Sequence, residues 1–211
     1  MNASIFPNSQ LYETGYCALF VKEISPAELL SRVSGREIRP IPLNRLEADA
    51  VKAFGEDIDE GDVPGLNVDD LHSSGILDNS GPLLRAGAHG DWSFVIESEG
   101  PYLARDEILQ SVSHGTVALS TRLSETGSTW ISYAEDGEIL SSFDPLFPQH
   151  DYGKNPATLE ELTAYREAID SGDRSESHVN AIRKIQQELR CTVPQEADAT
   201  SLLAVRIAGG Y

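Results

Sequence analysis

The chain is short of positive charge, of cysteine and of long apolar runs, and each shortage excludes something. It has 16 Lys and Arg against 34 Asp and Glu, a net charge of −18 over 211 residues. A field of that sign repels nucleic acid and anionic membranes and draws cationic partners inward, so neither a nucleic-acid nor a membrane partner is expected. The two cysteines, Cys17 and Cys191, are far apart and fit no metal or redox spacing. A disulfide between them is not expected in a reducing compartment. The longest apolar run near the start, Cys17 to Val21, is too short to span a bilayer. The first residues, MNASIFPNSQ, lack the basic and apolar regions of a signal peptide. The expected location is therefore cytoplasmic.

Chemical motifs are missing too. There is no glycine-rich phosphate loop of either common type, no G-x-S-x-G elbow and no H-E-x-x-H pair. No internal repeat occurs. No cofactor is implied.

What is present suits an ordinary globular protein: 40% apolar and 24% charged residues, enough to bury a core without disulfides or metals. The negative charge is localised. Residues 1–54 carry six acids and six bases, residues 55–151 nineteen acids and three bases, and residues 152–211 nine acids and seven bases. Between Gly55 and Leu84 there is no Lys or Arg, and five glycines and two prolines break the pattern. This stretch reads as an acidic surface excursion, with Glu56, Asp57, Asp59, Glu60, Asp62, Asp69 and Asp70 as the candidate partner-binding face. A calcium loop is not supported, because the glycine and the terminal glutamate that an EF-hand needs fall out of place.

Local signals outline the elements. Tyr16 to Val21 is a continuous apolar strand. Ser25-Pro26-x-Glu28 opens a helix that Gly35 ends, and Asn44 with Glu47 opens another through Phe54. On the second helix Leu46, Ala50, Val51 and Phe54 fall at helical spacing and read as core. Trp92, Phe94 and Ile96 alternate with Ser93, Val95 and Glu97 as a half-buried strand. A helix over 101–113 follows, then strands near 116–122, 129–134 and 138–143, the last two joined by Asp136-Gly137, a strong hairpin signal. Thr158 to Asp170 and Ser175 to Arg190 read as helices, and 201–207 as either helix or edge strand. The expectation is an α+β fold: a mobile leader over 1–13, then one domain over 14–211 with the excursion at 55–84. Its core is a largely antiparallel five-stranded sheet with helices packed mainly on one face.

One constellation carries possible chemistry. His89 precedes the Trp92 strand, His114 precedes the Thr116 strand, and a helix joins them. If those strands run parallel, His89, Asp91 and His114 share a sheet end and form a His/carboxylate group suited to metal or acid–base work. Trp92 and Trp130 sit among acids and read as core rather than as stacking platforms.

The order Tyr16-Cys-Ala-Leu-Phe-Val21, Ser25-Pro-x-Glu28-Leu-Leu, Gly90-Asp-Trp92-Ser-Phe-Val-Ile-Glu97, Gly115-Thr116, Tyr133-Ala-x-Asp136-Gly137 and Phe143-x-Pro145 resembles an uncharacterised actinobacterial domain family of unknown function. The resemblance implies a small cytoplasmic bacterial protein and assigns no catalytic residue. Three functional expectations remain. The first is an interaction module whose acids bind and neutralise a basic protein, as an immunity protein or a nucleic-acid mimic does. The second is a metal- or small-ligand-binding enzyme at His89, Asp91 and His114. The third is a structural or regulatory subunit whose acidity serves solubility alone.

Overall fold

A computed structural model describes residues 15–77, 81–98 and 100–208. The expected leader over 1–13 lies outside them. Eight strands form one open sheet: β1 (Gly15–Lys22), β2 (Ile41–Leu43), β3 (Leu83–His89), β4 (Trp92–Glu97), β5 (Val117–Ser124), β6 (Thr129–Glu135), β7 (Glu138–Phe143) and β8 (Leu202–Arg206). Their spatial order is β2-β8-β3-β4-β1-β5-β6-β7, and every neighbouring pair is antiparallel. The class is α+β as expected, but the sheet has eight strands rather than five.

Of the three additional strands, β2 and β3 lie where the local sequence argues against a strand, and β8 where it leaves helix or edge strand open. β2 contains Pro42, tolerable because β2 is an edge strand. β3 contains Gly87 and lies where the sequence reads as excursion and turn. Gly87 is needed there: a Cβ would sit 2.7 Å from Cζ of Phe94, its partner in register. β8 resolves the ambiguity at 201–207 in favour of a strand, placed between β2 and β3.

Helices cover both faces of the sheet, which corrects the expectation of one. The central strand β1 is buried on both sides, and alternate residues feed different cores. Tyr16, Ala18 and Phe20 join Phe94, Ile96 and Phe143 beneath α5 (Thr158–Thr163), α6 (Tyr165–Asp170) and α7 (Ser177–Leu189). Cys17, Leu19 and Val21 join Val95 and Ala118 beneath α1 (Pro26–Ser34) and α4 (Asp106–Val112). A third cluster at the β2 end gathers Leu43, Val51, Ile58, Val63, Leu71 and Leu77 from α2 (Arg45–Phe54), α3 (Val68–Ser74) and the chain between. The acidic excursion therefore has its own apolar underside.

Capping follows the sequence closely at the first two helices. Ser25 accepts the Glu28 N–H and Gly35 ends α1 at φ 62°. Glu28 does not close the box; its carboxylate holds Arg32 at 2.6 Å, and Arg32 also donates to the carbonyls of Val112 and His114, tying α1 to α4. At α2 both halves of the Asn44–Glu47 box form. Asn44→Ala is expected to cost about 1 kcal/mol, read as a lower urea midpoint, because it strands an N–H of the first turn. The helix read from Thr158 to Asp170 is instead two. Ala164 adopts φ 51°, and that break turns Tyr165 inward to stack on Phe143 at 4.2 Å. The helix expected from Ser175 starts at Ser177, after a single turn over 174–176 that Asp173 caps.

Candidate functional site

The surface at the β2 end combines charge with exposed apolar area. Val51 and Ala48 of α2 point into the third cluster, while Leu46 is 69% and Phe54 47% exposed. The reading of Leu46 and Phe54 as core is therefore wrong. They lie at i and i+8 of a spacing whose middle position, Ala50, is half-buried and packs against the third cluster. The acids continue from Phe54. Glu56 and Asp57 lie on the turn that ends α2, and both are exposed. Asp59 and Asp62 fold the next turn: Asp59 accepts the N–H groups of Gly61 and Asp62, and Asp62 accepts that of Asp59. Glu60 projects from it, exposed. Asp69 and Asp70 occupy the first turn of α3, where they favour the positive end of the helix, and Asn67 caps both N–H groups. All seven expected residues thus belong to one segment anchored by Ile58, Val63 and Leu71.

The remaining acids do not join that segment. Glu135, Asp136 and Glu138 lie at the β6–β7 turn, Glu125 at the β5–β6 turn, and Asp106 and Glu107 on α4. Exposed apolar side chains also occur beside acids at Phe147, Tyr152 and Leu162, but residues 56–70 carry seven acids without a base and follow directly on exposed Phe54.

The His89, Asp91 and His114 group does not assemble. β4 and β5 do point the same way, because each pairs antiparallel with β1. His89 ends β3, however, and β4 and β1 stand between it and β5, a separation of about 14 Å at ordinary strand spacing. His114 is exposed against the β6–β7 turn, where a Cβ on Gly137 would lie 2.9 Å from its Nε2. Among the described residues no three His, Cys, Asp or Glu are placed to hold one metal ion.

Two buried polar groups escape a reading of the sequence. On the α7 face, Tyr16 Oη and His178 Nε2 lie 3.0 Å apart, and His178 Nδ1 has no hydrogen-bond partner among the described residues. Burial pushes the His178 pKa down to about 4, opposed by nearby Asp144. On the other face, Glu97 accepts the N–H groups of Tyr102 and Leu103 and pins that turn over the sheet. Burial lifts its carboxyl to about 7, against those bonds and the charges of Arg105 and Arg122. The strand pattern does place Glu97 and Tyr16 on particular faces, but nothing in it pairs Tyr16 with a residue 162 positions away. Both groups are closed to solvent and act as structural fixtures. The thiols are no more available: both cysteines are buried, Cys17 is held well above its usual range and Cys191 is raised to about 12 by burial. Trp92 is core, its indole N–H donating to the Leu189 carbonyl, whereas Trp130 is half-buried and donates to Ser142.

A family model described as Family of unknown function (DUF6461) matches residues 6–183. The chain belongs to that family. The DUF6461 match takes in β1 through the middle of α7, with the acidic segment, Leu46 and Phe54 inside it, and leaves β8 beyond its end. An uncharacterised family is what the resemblance of the strand, cap and turn residues implied. No curated protein and no solved structure matches the chain. Among the described residues no helix is long and apolar enough to cross a membrane.

Proposed function

We propose that this DUF6461 protein is an interaction module that binds a basic, amphipathic protein through the surface made by α2 and residues 56–70. One observation carries the reading: Leu46 and Phe54 are exposed, and the exposed acids follow Phe54 directly in the chain. An exposed apolar pair alone would suit many partners. Beside a run of seven acids without a base it suits one that presents apolar and cationic side chains together. Aromatic anchors of this kind carry much of the energy of an interface, and the acids speed and select the encounter. Neutralising the partner, as an immunity protein does, follows if the bound surface is the partner's own active basic face. We place the protein in the cytoplasm, in keeping with two buried free thiols. On the resemblance of its strand, cap and turn residues we take its source to be actinobacterial.

The expected result is a basic protein captured from the native cytoplasm at low salt and released as salt rises. Phe54→Ser should weaken that complex about 30-fold. Changing Glu56, Asp57, Asp59 and Glu60 together to Gln and Asn should slow association by about tenfold or more. Both substitutions lie on exposed side chains, so the urea midpoint should stay near that of the wild type. Capture that neither variant alters, or no basic protein captured at low salt, would leave the acids with solubility as their only role.

A further inference from the structure

Some of the chain's basic side chains are paired with an acid. Arg32, Arg45, Arg85, Lys154, Arg166 and Lys184 each pair with a carboxylate. With about two acids for every base, such pairing is the expected outcome. Arg36 and Arg39, like Arg122, Arg174, Arg183 and Arg190, form no ion pair among the described residues. Arg36 and Arg39 border a groove between the 36–42 connection and α3. Its inner chamber, about 270 Å³, is lined by Arg36, Arg39, Arg206, Ser74 and Gly75, with Glu37 as its one carboxylate. An outer chamber of about 380 Å³ shares Arg39 and Ser74 and continues over Ile41, Leu66, Asn67 and Leu71, with Asp70 as its carboxylate. The outer chamber is in the size range that holds small ligands and the inner one lies just below it.

The arginines are held in place by the backbone that bears them. The Ser34 hydroxyl accepts the Arg36 N–H and donates to its carbonyl. Ile38, half-buried between the two arginines, packs on the core beneath α1. Pro40 restricts Arg39 to extended backbone. An ordinary role exists for cations here, since the carbonyl end of α3 lines the chamber and attracts positive charge. That accounts for one guanidinium. Arg206 already donates from Nε to the Gly81 carbonyl, and nothing comparable occupies Arg36 or Arg39.

We propose that this groove binds a small phosphate monoester, its phosphate held by Arg36, Arg39 and Arg206 and its body lying in the outer chamber. Guanidinium donors match phosphate oxygens in pairs, and three such groups suit a tetrahedral dianion better than a carboxylate with two oxygens. The surrounding negative field opposes free anions, so only a ligand that engages several arginines at once is retained. The outer chamber takes in Leu66, Asn67 and Asp70 and so borders the docking surface, but the three arginines lie outside residues 56–70 and the phosphate site does not depend on a protein partner.

The test is calorimetric titration of the full chain at low salt with phenyl phosphate, inorganic phosphate and succinate. Saturable binding in the millimolar range is expected for phenyl phosphate, with inorganic phosphate weaker because it leaves the outer chamber empty. Arg36→Gln and Arg39→Gln should each weaken phenyl phosphate about tenfold, while Arg174→Gln, an equal change of charge on a distant exposed turn, should not. Absence of saturable binding, equal binding by the Arg36→Gln/Arg39→Gln double variant, an equal loss in Arg174→Gln, or succinate bound as tightly as phenyl phosphate would each overturn the assignment. All three positions are exposed, so the variants should fold, and thermal unfolding of each confirms it.

Discussion

Phe94→Ala is expected to lower the stability of this protein by about 4 kcal/mol, the largest loss from any single substitution considered. Phe94 is 1% exposed on β4, between β3 and β1, and pairs in register with Phe20 on one side and Gly87 on the other. Its ring lies over Gly87: a Cβ there would approach Cζ of Phe94 to 2.7 Å and Cδ2 of Leu202 to 3.0 Å. Glycine in a strand interior ordinarily weakens the strand. Here the ring fills the space that a side chain would have taken. Gly87→Ala should therefore cost about 1–3 kcal/mol by overpacking. Combined with Phe94→Leu, which shortens the group above it, the same change should cost less than the sum of the two alone. Urea unfolding of the two single variants and the double variant measures the coupling, expected at about 1 kcal/mol or more. Strict additivity would show that the ring and the glycine do not depend on each other.

The second large effect is a pair of opposed pH dependences. The His178 pKa is lowered to about 4 from an ordinary 6.5, so its contribution is present above pH 6.5 and lost as pH falls towards 4. The Glu97 pKa is raised to about 7 from an ordinary 4.5, so its contribution is present below pH 4.5 and lost as pH rises towards 7. Each is worth about 3 kcal/mol across its window. Between pH 4.5 and 6.5 the two offset each other. The groups are on opposite faces of the sheet, His178 near Tyr16 and Asp144, Glu97 near Tyr102, Arg105 and Arg122, so they titrate independently. Relative to wild type, Glu97→Gln should lose stability as pH falls from 7 to 4.5, since it lacks the gain from protonating Glu97. His178→Asn should gain relative to wild type from pH 6.5 to 4. Comparing each variant with wild type at every pH cancels the carboxylates common to all three. Difference curves that stay level through these windows would place both groups in wetter surroundings than the fold gives them.

Much of the architecture could be read locally. Ser25, Gly35, Asn44 with Glu47, and Asp136-Gly137 mark their caps and turn because a few adjacent residues supply all the hydrogen bonds involved. The unbroken apolar run of β1 shows a strand buried on both faces. The alternation over Trp92–Glu97, by contrast, reads as half-buried although Ser93, Val95 and Glu97 are buried too, covered by the turn that Glu97 holds and by elements distant in sequence. The family resemblance rests on residues of the same local kind.

Other features depend on what distant segments contribute. β2 and β8 pair with each other, and β8 also with β3, so none of the three need announce itself in its own residues. Helical spacing on α2 shows an amphipathic segment, yet it contains both Ala48 and Val51 and the exposed pair Leu46 and Phe54. Only Leu43, Ile58, Val63 and Leu71, brought from either side, determine that the first set is buried. The same holds for charge. Composition establishes an acidic middle, whose field opposes nucleic acid by simple repulsion. Whether the acids meet exposed apolar side chains, whether His89 and His114 converge, and whether Arg36 and Arg39 border one groove are matters of distance across the sheet. Distances of that kind are set by strand order, which is a property of pairing between segments rather than of any segment alone.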